Sequence, residues 1–102
     1  MTPLPTGRDV ADFLGEPGSV SLADEHVRVV TAMARGYTRG NGFGVGSVAD
    51  DIAAVIVTAT ARLLANPEQI EGAVGPIVTR GGFTGWNLAE TFVLNAYRRR
   101  AG

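Results

Sequence analysis

An apolar run over residues 52–65 restricts the fold of this chain more than any other feature, since only threonines and Arg62 interrupt it. The run is shorter than the roughly 18 residues that a membrane-spanning helix needs, so it predicts a buried helix and no membrane partner. A helix that is apolar on nearly every side must be covered on every side. The other helices of so small a domain can cover about two faces, and the surplus apolar surface indicates a subunit interface.

Length and composition predict one small domain that occupies residues 1–102. The chain is 45% hydrophobic, contains no cysteine and has one histidine, His26. The lack of cysteine excludes a disulfide framework and a cysteine-based zinc site, and the single histidine argues against His-dependent catalysis and metal binding. The first residues, MTPLPTGRD, lack the apolar core of a signal peptide. We therefore expect a protein that is made and used in a cytoplasm.

Capping signals predict the first two helices. Thr6, with Asp9 in the first turn, starts a short helix that the glycines and proline of residues 15–18 end. Ser21 caps a longer helix, and Gly40 ends it. Helical spacing predicts a core face on this second helix, made by Leu22, His26, Val29, Val30, Met33 and Tyr37.

Similar signals predict the last two helices. Ser47 caps the third helix, which contains the apolar run, and Asn87 caps the fourth with Glu90 at the capping-box position. Helical spacing predicts an apolar side on the fourth helix, made by Leu88, Phe92, Val93, Ala96 and Tyr97.

The segments between these helices are rich in glycine. Residues 40–46 predict a flexible turn that carries one aromatic side chain, Phe43. Residues 67–85 form a long connection in which only residues 77–79 could form a short strand. The predicted fold class is all-α, a small bundle of about four helices with a long Gly/Pro-containing loop, and at most a short strand or hairpin, before the C-terminal helix.

No set of residues in the sequence supports catalysis or a cofactor. The glycines of residues 40–46 follow no strand and match no nucleotide-binding spacing, so a structural turn is favoured over a phosphate site. Asp50 and Asp51 are adjacent on a helix and point in different directions, which favours a role in the first turn over a carboxylate pair. His26 lies on an apolar face without triad partners, and a packed histidine is favoured. We expect no enzyme, no cofactor and no metal.

Charge is distributed unevenly along the chain. Residues 1–79 hold five arginines and nine acidic residues, whereas residues 80–102 hold four arginines and Glu90 alone. Three of those arginines are consecutive, Arg98, Arg99 and Arg100. This triplet is either a solvated helix end or a contact with an acidic protein surface or nucleic acid. Trp86 just before the last helix is either a hydrophobic staple into the core, the favoured interpretation, or an exposed anchor.

Three stretches in this order resemble the head-to-tail connector (adaptor) proteins of phages with long noncontractile tails, especially phages of actinobacteria. The first is ARGYTRGNGF at residues 34–43. The second begins DIAAVI at residue 51 and ends ARLLANP at residue 67. The third begins GWNLAE at residue 85 and ends YRRR at residue 100.

The resemblance implies a structural virion protein that assembles as a ring beneath the capsid portal. Such a ring extends the DNA channel and provides the platform for the stopper or tail-completion protein. The resemblance implies a homo-oligomeric ring, dodecameric in the virion, whose subunit can be monomeric in isolation. It also implies DNA that passes through the lumen without sequence-specific binding. The protein would act at the head-to-tail interface of the virion and in the host cytoplasm during assembly.

The resemblance also implies roles for particular residues. The C-terminal segment of this family commonly reaches the portal, which would give a docking role to Tyr97, Arg98, Arg99 and Arg100. The candidate subunit-interface or loop residues are Tyr37, Arg39, Phe43, Ile52, Val55, Ile56, Arg62 and Trp86.

The alternative function is that of a small helical DNA-binding protein with a basic C-terminal arm. Duplex-binding proteins usually present clustered basic residues on a helix face. Here the helices before the last one carry a net negative charge, which favours the connector.

Overall fold

The computed structural model describes residues 1–15, 20–65 and 86–98, and these residues are mostly helical. The four helices are α1 (Gly7–Leu14), α2 (Val20–Thr38), α3 (Asp50–Ala65) and α4 (Leu88–Arg98). Three two-residue strands, β1 (Thr2–Pro3), β2 (Phe43–Gly44) and β3 (Ser47–Val48), form an antiparallel sheet in the order β1-β3-β2. The prediction of a helical fold is confirmed, but the class is not purely all-α. The short strand predicted at residues 77–79 lies outside the described residues.

Two of the predicted helix starts are confirmed in detail. The Thr6 hydroxyl accepts a hydrogen bond from the Asp9 N–H, and the Asp9 carboxylate accepts one from the Thr6 N–H. Asn87 and Glu90 make the same reciprocal pair, at 2.8 and 3.0 Å. Each pair satisfies N–H groups that have no partner within the helix, which is why both helices begin there. Gly15 ends α1 in the left-handed conformation.

The other two predicted caps are wrong. Ser21 lies inside α2, which begins at Val20, and Ser47 lies in β3. The segment predicted as a flexible glycine turn is instead a β-hairpin with Val45 and Gly46 at its tip. The N-terminal strand β1 pairs with the other edge of β3. Ser47 is therefore part of the sheet, and α3 begins three residues later, at Asp50.

The end of α2 also differs from the prediction by a small shift. The helix ends at Thr38, and Arg39 adopts the left-handed conformation with φ 59°. The Gly40 N–H donates to the Arg35 carbonyl at 2.9 Å, and the Arg39 N–H donates to the Gly36 carbonyl at 3.2 Å. These two bonds form a Schellman motif that satisfies the last carbonyls of α2. An arginine therefore occupies the position that glycine usually takes.

Helix α3 is at the centre of the bundle, and α1, α2 and α4 all contact it. Its apolar surface is largely covered within the chain, so the surplus that the sequence predicted on this helix is not present. Ile52, Val55 and Ile56, the candidate interface residues of α3, are buried core side chains. The rest of the core that surrounds α3 consists of Val10, Ala23, Val27, Val30, Ala34, Val48 and Leu94.

The buried faces of α2 and α4 agree with the predicted ones only in part. On α2 the predicted Val30 is buried together with Ala23 and Val27, whereas Leu22 and Val29 are exposed. On α4 the buried residues are Glu90 and Leu94, and the predicted Val93 and Tyr97 are half-buried against the core, whereas Leu88, Phe92 and Ala96 are exposed. Small alanines allow α2 to approach α3 closely, and a polar contact of Glu90 fixes the rotation of α4. The spacing of apolar residues predicts neither the close approach of α2 to α3 nor the rotation of α4.

Gly42 is the residue on which the hairpin packs against α3 and α4. We expect Gly42→Ala to lower the free energy of unfolding by about 2 kcal/mol, because overpacking and backbone strain act together. The new Cβ would lie 2.6 Å from Ile52 Cδ1 and 2.9 Å from Tyr97 Cδ1, and the residue has φ 83°. Urea denaturation followed by circular dichroism measures the loss.

Gly40→Ala is the matched control for this substitution. Gly40 has nearly the same φ, 84°, but nothing lies within 4 Å of its new Cβ. Gly40→Ala should therefore lower the free energy of unfolding only by the cost of the backbone strain, about 1 kcal/mol. Equal losses for the two variants would contradict the steric account of the hairpin contact.

Candidate functional site

Three polar contacts fix the C-terminal end of α4 to the rest of the chain. The Tyr37 hydroxyl of α2 donates to Asn95 Oδ1 at 2.6 Å. The Tyr97 hydroxyl donates to Asp51 Oδ1 at the start of α3, at 2.7 Å, and the Asn41 side chain donates to the Tyr97 carbonyl at 3.0 Å. The end of α4 is thus held by α2, by α3 and by the turn that precedes the hairpin.

Arginines gather at this end of the bundle on aromatic rings. The Arg98 guanidinium lies 4.9 Å from the centre of the Tyr37 ring, and the Arg35 guanidinium lies 5.1 Å from the centre of the Phe43 ring. Both distances are within the range of a cation–π interaction. Arg39 is exposed at the end of α2, one turn beyond Arg35. The structure therefore brings positive charge from two helices, distant in sequence, to one end of the molecule, which we name the arginine end: Arg35, Arg39 and Arg98.

The N-terminal end of α4 is held by a second network, centred on Glu90. Its carboxylate accepts from both terminal nitrogens of Arg62, with Nη2–Oε1 at 2.7 Å and Nη1–Oε2 at 3.0 Å. The Thr58 hydroxyl donates to Oε2 at 2.5 Å, and the Asn87 N–H donates to Oε1 at 3.0 Å. The Glu90 side chain is 5% exposed and that of Arg62 is 29% exposed. One carboxylate thus caps α4 and ties it to α3.

The surroundings of Glu90 lower its pKa. Burial on its own would raise the pKa of this carboxyl, because it removes the charged form from water. Hydrogen bonds from Arg62, Thr58 and Asn87, together with the positive charge of Arg62, outweigh the effect of burial and lower the pKa below its ordinary value. Glu90 is therefore ionised at neutral pH, which the bidentate pair with Arg62 requires.

The structure separates the candidate residues from the sequence into three groups. Tyr97 and Arg98, with Tyr37, Arg39 and Phe43, lie at or beside the arginine end. A second group has roles within the chain: Arg62 pairs with Glu90, Trp86 is half-buried against the core, and the three candidates of α3 are core side chains, Ile52, Val55 and Ile56. Arg99 and Arg100 lie outside the described residues.

Sequence reasoning missed the residues that position α4. Asn41 and Asn95 carried no signal, because each acts through one contact with a residue far away in sequence. Asp51 was predicted to act in the first turn of the third helix, and Thr58 is one of the threonines in the apolar run, yet their side chains bind Tyr97 and Glu90 of α4. Contacts between distant segments leave no periodic pattern in the sequence, so these contacts could not be predicted from a single sequence.

The remaining polar groups and cavities of the described residues bear on the sites that the sequence suggested. No three His, Cys, Asp or Glu side chains among residues 1–15, 20–65 and 86–98 are placed to hold a metal ion. His26 is half-buried, with Nδ1 3.0 Å from the Leu22 carbonyl. A cavity of about 570 Å³ adjoins the arginine end, and among the described residues that line it the one carboxylate, Asp51, accepts a hydrogen bond from Tyr97. No helix in the described part of the chain is long and apolar enough to cross a membrane.

Comparison with known proteins finds no matching family model, no matching curated protein and no matching solved structure.

Proposed function

We propose that this chain is a head-to-tail connector (adaptor) subunit of a long-tailed phage. It assembles as a ring on the capsid portal, extends the DNA channel, and provides the platform for the stopper or the tail-completion protein. The basis is the resemblance of residues 34–43, 51–67 and 85–100 to that family.

The observation that carries the proposal is that the described parts of these three stretches contact one another in the fold. Tyr37 of the first stretch binds Asn95 of the third, and Asn41 of the first binds the Tyr97 carbonyl. Arg62 of the second stretch pairs with Glu90 of the third. The three stretches thus form one contiguous unit, as a shared function requires.

The geometry of α4 supports a docking role for its C-terminal end. The helix is fixed at both ends, by Glu90 at the start and by Asn95 and Tyr97 near the finish, so Arg98 extends from a defined position. Arg99 and Arg100 follow directly in the sequence. A cluster of positive charge placed in this way speeds and orients association with an acidic surface, which we assign to the portal.

The test of the docking role removes the charge of the triplet. We expect the variant Arg98→Ala/Arg99→Ala/Arg100→Ala to bind the portal of its own phage roughly 10- to 100-fold more weakly, since each charge contact contributes about 0.5–1 kcal/mol. The affinity of the unmodified protein should fall as salt rises, and that of the variant should depend less on salt. Biolayer interferometry with immobilised portal gives both quantities.

The matched control is Arg8→Ala/Arg28→Ala, which removes two exposed arginines of α1 and α2. It should bind the portal like the unmodified protein. A triple variant that attaches to portals at full occupancy would contradict the docking role. A salt-dependent gel shift with duplex DNA at submicromolar protein, lost in the triple variant, would instead favour the DNA-binding alternative.

A further inference from the structure

Two apolar features of the surface lie on different elements of the chain. One is a ridge on α4 formed by Leu88 and Phe92, which are 72% and 68% exposed and lie one helical turn apart. The other is a cavity between α2 and α3 lined by Glu25, His26, Val29 and Leu63, with a volume of about 190 Å³. We name these the α4 ridge and the α2–α3 cavity.

The α2–α3 cavity has the size and lining of a site for an aromatic side chain. Val29 is 47% exposed and Leu63 is buried, so an entering ring would contact both of these apolar side chains. An enclosed apolar cavity of about 150 Å³ binds benzene. This cavity is open to solvent and is also lined by Glu25 and His26, but its volume is of the same order. The phenyl ring of Phe92 is therefore small enough to enter.

The occupant that these features favour is a second copy of the same chain. A head-to-tail assembly needs two different patches on each subunit that fit one another, and the α4 ridge and the α2–α3 cavity are such a pair. The charges near the two features are opposite in sign. Glu90 is neutralised by Arg62, which leaves Arg98 as the uncompensated charge in the described part of α4, whereas Glu25 lies at the rim of the cavity.

We infer that Phe92 of one subunit inserts into the α2–α3 cavity of the next, with Leu88 packed beside it, forming the repeated contact of a head-to-tail assembly. The inference rests on the proposed function for its ring, but the contact itself requires only copies of this chain. It places the subunit interface on α4 and on the outer face of α2. It also explains why the sequence gives apolar helical spacing to Leu22, His26 and Val29, although the core of the chain uses a different face.

Charged substitutions on each side of the contact test it. Sedimentation velocity from micromolar to millimolar protein should show self-association of the unmodified chain. Phe92→Asp and Val29→Asp should each weaken it roughly 100-fold, as loss of a central apolar anchor does. Both positions are exposed, so thermal unfolding should change little. Val45→Asp, at the fully exposed tip of the hairpin, is the matched control and should associate normally.

Mixing the two variants distinguishes this contact from any other. Phe92→Asp retains an intact cavity, and Val29→Asp retains an intact ridge, so an equimolar mixture should form heterodimers that grow no further. Because the chain has no cysteine, Phe92→Cys mixed with Val29→Cys should also give a disulfide-linked heterodimer under mild oxidation.

Three outcomes would overturn the inferred contact. A chain that stays monomeric at millimolar concentration, association that survives both aspartates, or variants that fail to complement would each contradict the contact. Monomers with the ridge and cavity protected from hydrogen exchange would indicate that another part of the same chain covers them. Portal binding without self-association would leave the connector function standing, whereas self-association without portal binding would contradict the connector and leave the contact.

Discussion

Replacing Arg62 with methionine is expected to lower the free energy of unfolding by about 3 kcal/mol at neutral pH, because it leaves the buried Glu90 carboxylate without its counter-ion. Methionine replaces the unbranched aliphatic part of the arginine side chain and removes the guanidinium, so the loss reports charge and hydrogen bonding more than packing. The Glu90 side chain is 5% exposed, and water therefore does little to replace the guanidinium. Urea denaturation at pH 7 measures the loss.

The loss should depend on pH in a direction set by the pKa of Glu90. In the unmodified protein that pKa is lowered, so the network adds stability above the ordinary glutamate pKa of about 4.3 and loses it as pH falls through the folded value. Without Arg62 the effect of burial meets less opposition, and the pKa of Glu90 should rise. Protonation then removes the unpaired charge, so the difference between the two proteins should shrink in acid.

Glu90→Gln combined with Arg62→Met is the control for this prediction. Glutamine has the shape of glutamate, and the double variant contains no unpaired buried charge, so part of the lost stability should return. A single-variant loss that is constant from neutral to acidic pH would contradict the account, because packing alone does not titrate. A double variant no more stable than Arg62→Met would contradict it as well.

Gly7→Ala is expected to lower the free energy of unfolding by roughly 3 kcal/mol or more, because α1 and α2 meet at this residue with no room for a methyl group. The added Cβ would lie 2.5 Å from the Asp24 nitrogen and 2.6 Å from the Val20 carbonyl oxygen, and it would also overlap the Asp24 carboxylate. Backbone atoms of a helix cannot rotate away as a side chain can. The substitution also endangers the hydrogen bond from the Gly7 N–H to Asp24 Oδ1, which measures 2.7 Å.

Gly36→Ala is the matched control within α2. No heavy atom lies within 4 Å of its added Cβ, and its backbone is helical. Alanine should therefore raise the free energy of unfolding by about 0.5 kcal/mol, since glycine loses more backbone entropy in a helix. Thermal and urea denaturation of both variants test the contrast. A Gly7→Ala protein as stable as the unmodified chain would show that the two helices can separate at no cost.

The sequence correctly predicts the parts of the fold in which a residue contacts another residue only a few positions away in the chain. The pair Thr6 and Asp9 and the pair Asn87 and Glu90 satisfy backbone groups three residues apart, and both were predicted correctly. Ser47 failed because its segment pairs with β1, more than forty residues earlier in the chain. Helix caps and strand edges use the same polar residue types. Ser47 lies in a strand because it pairs with β1, which is far away in the sequence.

Which face of each helix is buried depends on contacts with other helices, and the periodicity of apolar residues does not predict those contacts. The pattern on α4 placed Leu88 and Phe92 in the core, but Glu90 pairs with Arg62 and rotates the other face inward. On α2 the same effect comes from size, because Ala23 and Ala34 allow close helix packing where larger residues would not. For the candidate site, the sequence identified Tyr37, Phe43 and Arg98, whereas the contacts that bring them together appear only in the fold.

The most direct test of the connector function is electron microscopy of the protein mixed with the portal of its own phage. The account predicts a ring of this chain stacked on the portal in register with its central channel, with occupancy lowered by Arg98→Ala/Arg99→Ala/Arg100→Ala and by Phe92→Asp. Portals that remain bare at saturating protein, while the chain is folded by circular dichroism, would contradict it.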